Sequence, residues 1–192
     1  MALTQEKVAK NARRYYSTIE KYGFFNDALV KILGEDFIKA PASTREDLHN
    51  AFEGGLVDHL LKVAKYAVLI NKILPENLQV AETSLLRVSL LHQIGKAKLY
   101  VKKDSDWHKK QGIYYDFNNA LVSMRVGERS VRYIMLAGIE LTDEEYQVIL
   151  NHDKDDDDKQ AKWHTSTIGT ILKQANELAI IEEKSESNVG GN

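Results

Sequence analysis

The 192-residue chain carries 26 basic and 28 acidic side chains for a formal charge of −2, with 43% hydrophobic and 28% charged residues. That composition suits one globular domain, excludes a disordered or fibrous chain, and argues against a surface built for extended nucleic acid or an anionic membrane. With no cysteine, disulfides and thiolate chemistry are excluded, and no stretch approaches the roughly 18 apolar residues of a spanning helix, so the cytoplasm is the expected compartment.

Residues 4–22 read as an amphipathic helix with Thr4 as its N-cap, and residues 24–33 as a second ending at Gly34. Residues 36–45, with Pro41 and the small run Ala42, Ser43, Thr44, read as a connection, and Gly54-Gly55 punctuates the chain. From 56 to 73, Leu56, Leu60, Val63, Ala67 and Ile70 follow the three-and-four spacing of one buried helix face, closed by Pro75. Residues 81–93 repeat that pattern through Leu85, Val88, Leu91 and His92, with Gly95 expected as the C-terminal cap.

Over 96–125 the period is lost and Tyr100, Trp107, Tyr114, Tyr115 and Phe117 suggest short extended pieces or a hairpin. Helical signals return over 129–137, and again at Thr142, where Thr142-Asp143-Glu144-Glu145 forms a capping box for a helix ending near His152. After the charge run 153–159, residues 165–181 predict a last helix with Ile168, Leu172, Ala175, Asn176 and Ala179 on one side. The expected architecture is all-α: an N-terminal helical extension over 1–39 packed on the core, a main helical domain over 40–182 with a short irregular or extended insert, and a frayed tail over 183–192.

Three of these helices place a polar residue inside an apolar stripe. His59 follows Leu56 by three residues, His92 follows Val88 by four, and Asn176 follows Leu172 by four, so all three should point inward. A single inward histidine is ordinarily a hydrogen-bonded core residue. Three inward polar groups favour a shared wet pocket, because each one left unpaired costs about 1–3 kcal/mol.

The string Gly54-Gly55-Leu56-Val57-Asp58-His59, with Leu90-Leu91-His92-Gln93-Ile94-Gly95-Lys96, resembles the HD-superfamily phosphohydrolases, particularly forms found in tailed phages. The resemblance runs over about residues 40–182. It implies a metal held by His59, His92, Gln93 and Asn176, but the family has aspartates where Gln93 and Asn176 stand. Two amides in place of two carboxylates leave either no metal or a weakly bound divalent ion (Mn, Co, Ni, Mg or Zn), and make metal-assisted hydrolysis inefficient.

The same resemblance gives Lys96 a phosphate-facing role, the alternative being a solvated charge at a helix C-terminus. It offers His49 as an extra pocket histidine and His152 as a phosphate donor or general acid, with a helix-dipole contact equally ordinary for the latter. Lys96 and His152 would be the catalytic pair of an active enzyme. Trp107, His108, Tyr114 and Tyr115 border the pocket by resemblance and either stack on a base or pack as a lid; His164 is a weaker substrate-binding candidate and Trp163 a structural one. Arg125, Arg129 and Arg132 extend a phosphate surface or form a solvated face, and Asp155 to Asp158 read as an acidic loop rather than a calcium site.

The function expected is therefore a degenerate HD domain that binds a nucleotide, nucleotide second messenger or other small phosphorylated ligand without efficient hydrolysis, sequestering it in the host cytoplasm if phage-encoded. The alternatives are an active metal-dependent HD phosphohydrolase acting on nucleotides, and a scaffold that self-associates through the exposed-looking pair Tyr15-Tyr16.

Overall fold

The computed structural model describes residues 2–154 and 166–189, and helices carry nearly all of their regular structure. Helix α1 (Gln5–Lys21) starts where the Thr4 side chain accepts the Lys7 amide at 3.3 Å. Helix α2 (Asp27–Leu33) starts later than the apolar pattern suggests because Asn26 caps it, accepting the Leu29 amide at 2.8 Å. It stops at Gly34, whose φ of 66° is the left-handed turn that favours glycine. A single turn, α3 (Asp36–Lys39), lies inside the segment read as a connection.

Helix α4 (Gly55–Ile73) is the central element, packed against α1, α3, α5 (Glu82–Leu91) and α9 (Thr167–Val189). The irregular stretch forms a small antiparallel pair, β1 (Tyr100–Lys102) and β2 (Tyr115–Phe117), with Tyr100 opposite Phe117 and Lys102 opposite Tyr115. Between them lies the short α6 (Asp106–Lys110). Helices α7 (Val126–Leu136) and α8 (Asp143–Asn151) close the far side. The expected capping box forms at Thr142, and its Glu145 also accepts both bonds from Arg87 on α5 at 2.9 and 3.0 Å, tying α8 to the core.

The structure departs from the sequence reading at Tyr15, Arg129, Gly95 and the end of α9, while the N-terminal helices pack on the core as the reading has them. The N-terminal helices share the main core: Tyr15, Ile19, Leu29, Leu33 and Phe37 are fully buried in one cluster with Leu56, Leu60 and Leu90. Tyr15 is 0% exposed and donates to the Leu90 carbonyl at 3.0 Å, so it is not the exposed residue it looks like in sequence; Tyr16 is half-buried and packs edge-on to Phe25. Arg129 is buried and donates to the Val122 carbonyl at 2.7 Å rather than lying on a solvated face.

Gly95 does not cap α5; it sits in a short 3-10 turn, Ile94–Lys96. Finally, α9 does not fray at 183 but continues to Val189. Side chains beyond 181 fix it to α4, through Lys62–Glu186 at 2.6 Å, Lys65–Glu182 at 3.3 Å and a buried Glu183 beside His59. Among the described residues no helix is long and apolar enough to cross a membrane.

Because Tyr15 fills the core and its hydroxyl satisfies a buried carbonyl, Tyr15→Ala should cost about 3–5 kcal/mol of stability and Tyr15→Phe about 1–3 kcal/mol. Urea unfolding of the two variants measures both. Losses below about 0.5 kcal/mol, the ordinary size for a surface substitution, would contradict the shared core.

Candidate functional site

The pocket is built around His59, which α4 carries into full burial (0% exposed) between α5 and α9. Its Nε2–H donates to Asn176 Oδ1 at 3.0 Å, and its Nδ1 faces both Glu183 carboxyl oxygens at 3.1 and 3.2 Å. Asn176 and Glu183 are two helical turns apart on α9, so the two nitrogens of one imidazole address two levels of a single helix face. Burial drives His59 down to about 3 and Glu183 up to about 8, which favours a neutral imidazole beside a neutral carboxylic acid.

Three more histidines converge on this point. The ring of His49 lies 4.7 Å from His59, that of His92 lies 6.3 Å from His59, and that of His152 lies 4.9 Å from His92, edge to face. His92, at the end of α5, donates from Nδ1 to the Ser89 carbonyl at 2.9 Å. His152, capping α8, donates from Nδ1 to the Ile149 carbonyl at 2.8 Å. Both bonds fix the tautomer and leave Nε2 with its lone pair.

All four imidazoles are held neutral, chiefly by burial: His49 is lowered to about 2, His152 to about 4, and His92 well below its ordinary range, with His152 and His59 adding to the effect on His92. The Nε2 atoms of His49 and His92 are buried without a hydrogen-bond partner among the described residues. An unsatisfied buried polar atom costs about 1–3 kcal/mol, so two of them in one pocket make it the candidate site of this chain.

The turn after α5 supplies the cation. Lys96 is buried and donates to the Ala42 carbonyl at 2.7 Å and to Gln93 Oε1 at 2.9 Å, leaving the third ammonium N–H for another acceptor. Burial lowers Lys96 to about 8, partly opposed by Glu183 and Asp153, so it is charged at neutral pH. Two of the nearby acids are already matched: Asp153 pairs with Arg125 at 2.7 Å, and Asp58 with Lys62 at 3.2 Å.

The loop that presents His49 is fixed by its neighbours. Ser43 Oγ donates to the His49 carbonyl at 2.5 Å. Asn50, in the left-handed region at φ 44°, donates to Asp58 Oδ2 at 3.1 Å, and Asn11 of α1 donates to Asp58 Oδ1 at 2.8 Å. The N-terminal helix thus reaches the support of the site.

The expected residues divide accordingly. His49, His59, His92, His152, Lys96 and Asn176 come together. Gln93 lies beside them with its carbonyl oxygen accepting from Lys96 Nζ at 2.9 Å. Trp107 is 63% exposed on α6, its ring edge-on to that of His108, and among the described residues it has no ring contact with the pocket histidines. Tyr114 and Tyr115 line a neighbouring groove of about 700 Å³ with Phe52 and Asn50, the residue next to His49. His164, Trp163 and Asp155 to Asp158 lie outside the described residues.

Glu183 was missed, although Leu172, Asn176, Ala179 and Glu183 keep the four-three-four spacing of one face. With His49 and His59 it forms a group whose ligand atoms all lie within 4.8 Å, which could hold a metal ion. Ser130 was missed as well: its hydroxyl donates to the His92 carbonyl at 2.7 Å and accepts the Gly95 amide at 2.9 Å, locking α7 to the Lys96 turn.

Compared with protein-family models, curated proteins and solved structures, the chain matches none.

The close approach of α7 explains why position 95 is glycine, since an added Cβ would meet the Val126 carbonyl oxygen at 2.6 Å and the Ser130 amide at 2.9 Å. Gly95→Ala should therefore cost about 1–3 kcal/mol through displaced backbone. Thermal unfolding would register the loss, and an unchanged midpoint would refute the stated packing.

Proposed function

We propose that the protein is a degenerate HD-type domain that binds a nucleotide, or another small phosphorylated molecule, in the histidine pocket without efficient hydrolysis. The observation that carries this reading is the charge of the pocket: a buried Lys96 ammonium with one N–H to spare, and four neutral imidazoles. A phosphate oxygen satisfies Lys96 in a setting where charge-assisted bonds are strong. The lone pairs at His92 and His152 Nε2 suit the hydroxyls of a ribose or of a protonated phosphate. If a phage encodes the chain, sequestering a host signal nucleotide is a use that this chemistry allows.

The metal set that the HD resemblance implies does not fit, because Gln93 is bonded to Lys96 and Asn176 to His59. A nearby phosphate meets little negative charge, which favours binding, while no carboxylate stands at position 93 or 176 to support a metal-bound hydroxide.

In chelator-treated protein, a panel of nucleotides should yield saturable binding by at least one phosphorylated member and none by the matching nucleoside. Lys96→Met should weaken that binding by at least about 10-fold, the scale of one charge-assisted hydrogen bond. No binding across the panel would sink the proposal. The pH dependence has a definite sign: Lys96 loses its charge above about 8, so affinity should fall as pH rises from 7 to 9, and calorimetry showing it rise would contradict the assigned contact.

A second reading, an active metal-dependent phosphohydrolase, is favoured by one observation, the His49, His59, Glu183 group. Phosphate release with manganese, cobalt, nickel or magnesium, abolished by His92→Ala, would support it, and silence with every metal would oppose it.

A further inference from the structure

Two carboxylates are missing from the ligand set that the resemblance implies, yet the pocket is not without a carboxylate. Glu183 stands one helical face and two turns along from Asn176, buried against His59. On its Asn176 side the imidazole meets an amide oxygen through Nε2; on its Glu183 side it meets a carboxyl group through Nδ1. A carboxyl group that gives up its proton to solvent as a divalent cation binds is a far better partner for that cation than a neutral amide, so the two sides of His59 differ in kind. His49, from the loop before α4, brings a further imidazole to the Glu183 side, its ring 4.7 Å from that of His59 and its Nε2 buried without a partner.

The geometry points to a metal centre made of His49, His59 and Glu183, taking a borderline transition ion such as zinc, cobalt or nickel. Their ligand atoms already lie within 4.8 Å of one another, and bond lengths of about 2.0–2.2 Å to each would draw them closer by small side-chain movements. Two imidazoles and one carboxylate suit such ions better than magnesium or calcium, which prefer oxygen throughout. Three protein ligands leave a coordination position for solvent or a ligand oxygen.

The support around the three ligands is of the kind a metal site needs. Ser43 holds the His49 carbonyl, Asn176 holds the far nitrogen of His59, and Asn50 and Asn11 hold Asp58 one residue before His59. A metal here would lie on the Nδ1 side of His59, where the carboxyl group is, and not on the Nε2 side that the resemblance implies. This inference is independent of the phosphate-binding reading, since metal uptake is measured with no nucleotide present.

The test is titration of chelator-stripped full-length protein with zinc and with cobalt, by calorimetry and by the visible absorption of the cobalt adduct. One equivalent should bind. His49→Asn and Glu183→Gln should each weaken binding by more than about 10-fold, since even indirect supports of a metal site are worth that much. Gln93→Ala and His92→Gln alter only the set implied by the resemblance, and neither should weaken metal binding as much as His49→Asn does. Circular dichroism establishes that each variant is folded; His49→Asn, on a loop outside the helical core, carries the test if Glu183→Gln is not. Absence of stoichiometric uptake of either ion overturns the proposal, as does binding lost in His92→Gln or Gln93→Ala but kept in His49→Asn.

Discussion

Burying a histidine completely is costly unless its ring nitrogens find partners, and His59 finds both on a helix more than a hundred residues further along the chain. That requirement sets the register between α4 and α9: shifting α9 by one residue would rotate Asn176 and Glu183 about 100° away from the imidazole. The apolar residues on the same helices supply most of the cohesion, but Leu or Ile contacts tolerate sliding, whereas two directional bonds to one ring do not. Lys62–Glu186 and Lys65–Glu182 continue the pairing and explain why α9 runs on where its composition suggests fraying.

Once His59 is fixed, the electrostatics of the pocket follow from crowding. Four imidazoles, one ammonium and one carboxyl share a space from which water is largely excluded, and burial dominates every shift there: histidines down, the carboxyl up, the lysine down. The result is a set of neutral lone pairs around one cation. Carboxylates at positions 93 and 176 would invert that balance; the amides actually present make hydrogen bonds inside the pocket instead, Gln93 to Lys96 and Asn176 to His59.

The N-terminal helices belong to the same physical unit. Tyr15 and Ile19 fill the core beneath α4 and α5, and Asn11 extends a hydrogen bond to Asp58 beside the central histidine. The site is therefore supported from both ends of the chain, and no cut near residue 39 would leave the supporting shell intact.

Much of this was legible in the sequence because its cause is local. Helical period in α4, α5 and α9, the caps at Thr4 and Thr142, and the inward placement of His59, His92 and Asn176 depend on residues within a turn or two of each other. The all-α architecture follows from those patterns. The partners were not legible. Whether Lys96 points to Gln93 and Ala42, whether Gly95 faces α7, and whether Glu183 lies in a tail or against His59 depend on which helices meet and at what level. Tyr15 and Glu183 were misjudged for the same reason: a polar or amphipathic side chain is buried only when a distant element offers it a bond, and that pairing exists only after the helices have packed.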